Sequence, residues 1–183
     1  MLEPAIKYSA KLKDKMYDTW HDIKYQYYNC SPQEISIDEN TYWRHQFVFI
    51  DNGEITGYFA YNIDRDVRSI HDFGLVSFTN EINFKLVRAV IRHIEEMFER
   101  GINRIEFFAY EDNPVNRSYK RLIEKYGGEQ VGKLTNNTRL MDGKLHNTVF
   151  YELFSGDYFA RKADKERKKF WEVLNSNEGE LKF

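Results

Sequence analysis

Apolar residues recur along this chain with two different periods, and the alternation of these periods predicts its secondary structure. Spacings of three and four residues, typical of amphipathic helices, occur in residues 10–28, 82–100 and 113–126. Gly101 and Gly127 follow the second and third of these stretches, where helix-ending glycines are expected. The apolar positions that define the three helices are Leu12, Met16, Trp20, Ile23 and Tyr27; Val87, Val90, Ile91, Ile94, Met97 and Phe98; and Val115, Tyr119, Leu122, Ile123 and Tyr126.

Runs of β-branched and aromatic residues predict strands between the helices. The clearest are residues 46–51 and 54–63, which flank Asn52-Gly53, a pair typical of a type I′ hairpin turn. Residues 69–78 form a third run, and its apolar character favours burial on both faces. We also predict a short first strand over residues 5–9.

The second half of the chain continues this alternation. Residues 104–110 form a strong strand, and two more strands at 130–140 and 145–154 are joined across Asp142-Gly143. Residues 158–174 form a charged helix, which Phe170, Trp171 and Leu174 could dock on the domain. The strand–helix–strand order of residues 69–110 implies a parallel pair, whereas the hairpins imply antiparallel pairs. The expected fold is therefore α/β with a mixed sheet.

Composition restricts the classes of protein that the chain could represent. Its 183 residues are 42% hydrophobic and 16% aromatic, as in a globular domain. The net charge of −2 gives no overall field for nucleic acid. One cysteine, Cys30, excludes an internal disulfide. The sequence shows no signal-peptide pattern and no membrane-spanning stretch, so we expect a cytoplasmic location and no membrane partner.

The order of elements, with several local motifs, resembles the GNAT (GCN5-related N-acetyltransferase) superfamily. Residues 104–113, a strand ending in asparagine, resemble the fifth strand of that family. The helix that begins Asn113-Pro-Val-Asn-Arg-Ser-Tyr119, the glycines that end it and the hairpin around residues 142–144 are similar as well. The resemblance covers about residues 45–154. It implies a GNAT domain over 1–154, with 155–183 as a charged helical extension.

The resemblance implies acetyl-CoA as co-substrate. Its pantetheine arm would pair with backbone groups of the fourth strand at Leu75, Val76 and Ser77, and its pyrophosphate would lie at the start of the next helix. Family members carry a glycine-rich loop there. In this chain the corresponding residues 78–84 contain no glycine, and Glu81 would repel phosphate. The alternative is a non-catalytic binding or structural protein of this fold that has lost CoA binding. The side chains left to bind the cofactor are Asn80, Asn83, Lys85, Asn113 and Asn116, with further charge available from Arg88, Arg117 and Lys120.

Acetyl transfer to an amine needs a base for the ammonium and a proton donor for the thiolate. The resemblance suggests Tyr119 as the donor, although a core tyrosine explains the same pattern. Counting back from Gly127, as in the family, places Ile123 rather than Tyr119 at the tyrosine position, and both residues lie on one face of the helix. His71 and Asp72, on the fourth strand, are candidate bases. As neighbours in a strand they should point to opposite faces, so at most one would face a cleft. Glu111 is a weaker candidate.

Other features are better explained by structure than by chemistry. Asn113, before Pro114, caps a helix whether or not it binds a cofactor. His93 and Glu96 share a helix face, but two ligands do not make a metal site, and we predict none. The basic run 161–169 could contact nucleic acid, but its mixed charges favour a solvated face. The acceptor is expected to be a small-molecule or peptide amine, and the aromatic hairpin and last helix are candidate homodimer surfaces.

Overall fold

A mixed sheet forms the body of the protein, with helices on both of its faces. The computed structural model describes residues 1–20, 22–28, 36–79 and 83–177. The strands are β1 (Leu2–Pro4), β2 (Arg44–Asp51), β3 (Glu54–Asp64), β4 (Ser69–Ser77), β5 (Arg104–Tyr110), β6 (Gly128–Arg139) and β7 (Leu145–Phe154). The helices are α1 (Ser9–Thr19), α2 (Phe84–Glu99), α3 (Val115–Tyr126) and α4 (Ser155–Asn177), and 3-10 turns occupy Ala5–Tyr8 and Ile23–Tyr25.

The strands lie in the order β1-β2-β3-β4-β5-β7-β6. β4 and β5 run parallel, and the other described neighbours run antiparallel. The predicted α/β class and mixed sheet are confirmed. The hairpin turn is confirmed too, because Asn52 and Gly53 have φ values of 52° and 81°, the left-handed angles that a type I′ turn requires.

Three local predictions were wrong. The first helix ends at Thr19 instead of reaching residue 28, and the Thr19 hydroxyl donates to the Met16 carbonyl at 2.7 Å. Ile23, predicted to face the core, is 56% exposed. The first strand comprises Leu2–Pro4, and the predicted residues 5–8 form a 3-10 turn. β4 is not buried on both faces, since Asp72 and Gly74 are exposed.

Two apolar cores lie on opposite faces of the sheet. On one face, α2 and the start of α4 pack over residues such as Phe59 and Ile105; on the other, α1 packs over Val48 and Tyr58. Gly57 lets α2 approach β3 closely, because a Cβ there would lie 2.5 Å from Leu86 Cδ2. The position of α2 matters for function, since its first turn follows the end of β4.

The last helix begins inside the main core. Tyr158 is 2% exposed, and its ring stacks on Tyr126 with centroids 4.8 Å apart. Lys162 forms an ion pair with Glu95 of α2. The predicted docking side chains, Phe170, Trp171 and Leu174, lie outside those that the structure describes. The division into a domain over 1–154 and an extension from 155 remains a prediction.

A polar chain crosses the core beneath α2. The Tyr61 hydroxyl lies 2.7 Å from His93 Nε2 and 2.9 Å from His45 Nδ1, among the rings of Phe47 and Phe59. Burial lowers the pKa of His93 to about 4 and lowers the pKa of His45 below its usual 6.5. Both imidazoles are therefore neutral at physiological pH, as their apolar surroundings require.

The buried, neutral state of His93 predicts that acid lowers the stability of the fold. The unfolded chain takes up a proton near pH 6.5 and the folded protein only near pH 4, so stability falls as pH drops through that window. The shift in the pKa of His93 corresponds to about 3 kcal/mol of unfolding free energy, lost on acidification. Urea unfolding of the wild type and His93→Gln at pH 7, 5.5 and 4 measures it. We expect the variant to lose less stability on acidification; equal losses in both proteins would contradict the prediction.

Candidate functional site

β4 and β5 separate part of the way along the sheet. Their pairing ends at Phe73 with Phe107, although β4 continues to Ser77 and β5 to Tyr110. Beyond that point, among the residues that the structure describes, β4 is paired only with β3 and β5 only with β7. A wedge therefore opens between two parallel strands in the middle of the sheet. We call this the β4–β5 wedge.

Backbone groups of β4 line one wall of the wedge. The Phe78 amide donates to Thr56 on β3 at 3.0 Å, so alternation directs the backbone groups of Val76 toward β3 as well. The same alternation directs those of Leu75 and Ser77 into the wedge. Two of the three predicted backbone positions thus face the wedge, and the third belongs to the β3 ladder.

Two aromatic side chains near the end of β4 lie outside the space between β4 and β5 or on its α1 side. Phe84, the first residue of α2, is 71% exposed. Phe78 packs against the core on the α1 side of the sheet.

A histidine–aspartate pair lies just before the strands separate. His71 Nδ1 is 2.9 Å from Asp72 Oδ2, and the Asn62 amide donates to the same carboxylate oxygen at 2.9 Å. The prediction that the two neighbours point to opposite faces was wrong. A bulge interrupts β4 here, and Asp72 adopts φ 52°, which brings both side chains together. Asn62 alternates with the core residues Tyr61 and Ile63, which places the pair on the α1 side of the sheet.

Tyr119 approaches the sheet from the opposite face. Its ring makes edge contacts with Phe107 and Tyr151, at centroid distances of 4.8 and 5.7 Å. Burial raises the pKa of Tyr119 to about 12, with a further contribution from the nearby Tyr28. Its hydroxyl has no hydrogen-bond partner among the described residues. Tyr119 thus packs against the main core, and its hydroxyl keeps its proton at neutral pH.

The residues predicted to bind phosphate are largely engaged with the protein. Asn83 caps α2, accepting from the Leu86 amide at 3.0 Å. Lys85 forms an ion pair with Asp51 at 2.9 Å. Asn80 and Glu81 lie outside the described residues. Arg88, Arg117 and Lys120 are exposed, and no ion pair involves them within the described ranges.

Asn116 organises the turn from β5 into α3. Its amide nitrogen donates to the carbonyls of Tyr110, Glu111 and Asn113, and its Oδ1 accepts from the Tyr151 hydroxyl at 2.7 Å. The Asn113 side chain accepts from the Val115 amide at 3.0 Å. Asn113 thus holds the first amide of α3, but it lies one residue before the N-cap position, which Pro114 occupies.

Sequence analysis missed a polar network at the end of β5. His146 lies between the carboxylates of Asp112 and Asp142, and the Tyr27 hydroxyl contacts Asp112. These residues come from three separate segments, since Asp142 and His146 belong to the same hairpin, and no local pattern marks the three segments as partners. Glu111, the weaker base candidate, is engaged nearby: hydrogen bonds from Asn147 and Lys133 lower its pKa.

Neither a metal site nor a membrane segment is found in the described part of the chain. No group of three or more potential metal ligands occurs there; His93 and Glu96 come within 3.9 Å of each other without a third ligand. None of its helices combines the length and apolar character needed to cross a bilayer. Cys30 lies outside the described residues.

Solved structures with this fold are acetyltransferases. A probable GNAT-family acetyltransferase from Chromobacterium violaceum matches with a TM-score of 0.64 and 17% identity, covering 86% of this chain and 88% of its own. A ribosomal-protein-alanine N-acetyltransferase from Brucella melitensis matches with a TM-score of 0.63 and 15% identity, covering 84% and 99%. The fold is therefore that of the GNAT acetyltransferases.

Other matches are partial. The chain covers 63% of one further structure, a probable acetyltransferase, and 61% of Mycobacterium smegmatis RimJ in complex with CoA-disulfide. RimJ matches 68% of this chain with a TM-score of 0.53 and 17% identity. No protein-family model and no curated protein sequence matches the chain.

The contacts of Asn116 predict a structural cost for its loss. Asn116→Ala removes the donor for three carbonyls and leaves the Tyr151 hydroxyl without its acceptor. We therefore expect a loss of about 2–3 kcal/mol in the free energy of unfolding. Urea unfolding checks this value. Tyr151→Phe, which removes one bond of the set, should cost about 1 kcal/mol. Wild-type stability in Asn116→Ala would show that these bonds contribute nothing.

Proposed function

We propose that the protein transfers an acetyl group from acetyl-CoA to the amine of a small molecule or peptide. The observation that carries the proposal is the β4–β5 wedge, where the backbone groups of Leu75 and Ser77 that point toward β5 have no strand partner among the described residues. Amide groups spaced in this way can pair with the two amides of a pantetheine arm, as an additional strand would. The CoA-disulfide bound to RimJ, which shares the fold, agrees with this ligand.

The phosphate end of the cofactor would rely on charge and helix termini. α2 follows β4 and α3 follows β5, so the N-termini of both helices flank the wedge. Each N-terminus favours an anion. Arg88 on α2 and Arg117 and Lys120 on α3 add exposed positive charge to the same end. This arrangement would substitute for the missing glycine loop.

The chemistry would use both faces of the sheet. His71 would accept the proton of the acceptor ammonium at Nε2, because Asp72 holds Nδ1. The amine nitrogen would then attack the thioester carbonyl, and the bond to sulfur would break. Tyr119 would give its proton to the departing thiolate; with a pKa of about 12 it is protonated at neutral pH. The wedge connects the two faces on which these groups lie.

Calorimetry with acetyl-CoA tests the cofactor. We expect a Kd on the order of 10 μM. Arg88→Ala combined with Arg117→Ala should weaken binding about tenfold, since two charges near phosphate are lost. Lys165→Ala, an exposed cation on α4, is the matched control and should bind as the wild type does. No heat of binding at millimolar acetyl-CoA would favour a non-catalytic protein of this fold.

The roles proposed for His71, Asp72 and Tyr119 are tested by measuring the free CoA thiol released from acetyl-CoA in the presence of a panel of amines. His71→Gln and Asp72→Asn should lower kcat by about 10²-fold or more, as expected when a general base is lost or misoriented. Tyr119→Phe should lower kcat without changing acetyl-CoA affinity. All three variants should retain the wild-type Kd for acetyl-CoA; a lost kcat with lost affinity would instead indicate a structural role.

A further inference from the structure

His146 lies between two carboxylates at the end of β5. Its Nδ1 is 2.9 Å from Asp112 Oδ2, and its Nε2 is 3.0 Å from Asp142 Oδ1. The His146 side chain is only 9% exposed, whereas that of Asp112 is 51% exposed. Asp112 belongs to the turn after β5, and Asp142 to the turn between β6 and β7. One imidazole thus joins two separate turns.

The same carboxylate holds the segment that follows α1. The Tyr27 hydroxyl donates to Asp112 Oδ2 at 3.3 Å, and the Tyr27 ring packs on Tyr110, the last residue of β5, at 6.3 Å. The neighbouring Tyr28 is close enough to Tyr119 to raise its pKa. Tyr27 and Tyr28 therefore lie against the β5 wall of the wedge, where Asp112 is a polar contact, and Tyr25 anchors the same segment in the core on the α1 side.

Both contacts of His146 require a protonated ring. A carboxylate only accepts hydrogen bonds, and a neutral imidazole carries one N–H. Imidazolium carries two, and it also neutralises the repulsion between Asp112 and Asp142. Deprotonation would break one of the two bonds and leave the two anions facing each other across a neutral ring.

We propose that Asp112, His146 and Asp142 form a protonation-controlled latch that holds residues 22–28 against the β5 wall of the wedge. The latch is closed while His146 carries both protons. When one proton is lost, repulsion between Asp112 and Asp142 moves the turn that carries Asp112 away and separates Asp112 from the Tyr27 hydroxyl. The latch does not depend on which ligand the wedge accepts, and hence not on the proposed acetyl transfer.

The surrounding charges set the direction of the pH response. Hydrogen bonds to Asp142 and then Asp112 raise the pKa of His146 above its usual 6.5. The Lys144 amide, followed by His146, lowers the pKa of Asp142, which keeps that carboxylate ionised.

Tyr27 is the other titratable group that contacts Asp112, and its raised pKa keeps its hydroxyl protonated. The adjacent Glu111 is paired with Lys133. The latch is thus complete below pH 6.5 and weakens as pH rises through the raised pKa of His146.

Hydrogen–deuterium exchange of residues 22–28 tests the latch in the ligand-free protein. Protection factors at pH 6 and pH 9, corrected for intrinsic exchange, should differ about tenfold or more in the wild type. His146→Gln and Asp142→Asn should show, at both pH 6 and pH 9, the low protection factors that the wild type shows at pH 9. Tyr27→Phe, which keeps the ring contact but loses the hydroxyl, should lose most of the difference while His146 still titrates by NMR.

Lys133→Gln is the matched control, because it breaks an ion pair on the same turn but outside the latch. It should respond to pH as the wild type does. Melting temperatures of all variants identify any that lose the fold. Equal wild-type protection at both pH values, or a full pH response in folded His146→Gln, would overturn the proposal. Neither result depends on whether acetyl-CoA binds.

Discussion

The parting of β4 and β5 is the constraint on which the candidate site depends. A sheet normally satisfies every backbone group in its centre, and unpaired buried groups cost free energy. Here the bulge at His71 and Asp72 interrupts β4, and pairing with β5 ends at Phe73. β3 and β7 hold the outer edges of the two strands, so they can diverge without unfolding. Within the described residues, the backbone groups of Leu75 and Ser77 that face β5 then have no partner strand.

The bulge has a second consequence. In regular strand geometry, His71 and Asp72 would lie on opposite faces of the sheet. The left-handed backbone of Asp72 brings its carboxylate to the imidazole and to Asn62, which fixes the ring. The residue that interrupts the ladder is thus also the one that orients the candidate base. This backbone irregularity therefore brings the two side chains together just before the strands separate beyond Phe73.

Histidines in this protein have opposite charge preferences in different surroundings. His93 and His45 contact a tyrosine hydroxyl among aromatic rings, and burial keeps them neutral. His146 is buried as well, but two carboxylates favour its charged form. The neutral pair stabilises the core beneath α2, whereas the charged ring links loops around the wedge. Local charge, more than burial alone, separates the two roles.

Much of the fold followed from local pattern. The period of the apolar residues and the turn chemistry of Asn52-Gly53 and Asp142-Gly143 predicted the hairpins, and β5 and β7 were predicted with their observed bounds. These features depend on neighbours in sequence, as helix periods and turn angles do. The end of α1 at Thr19 was missed because the apolar stripe continues into residues that the tertiary structure leaves exposed, such as Ile23.

The sequence alone therefore determined the class of fold, the strand and helix order, and which residue types could serve acetyl transfer. Only the tertiary structure decided how they are used. A bulge brought His71 and Asp72 together, and an ion pair engaged Lys85 with Asp51. The Asn116 side chain became a hydrogen-bond donor within the turn after β5. The tertiary structure also brought Tyr27, Asp112, Asp142 and His146 together from distant positions. Such contacts depend on strand register and chain reversal, and these are set by packing across the whole sheet rather than by adjacent residues.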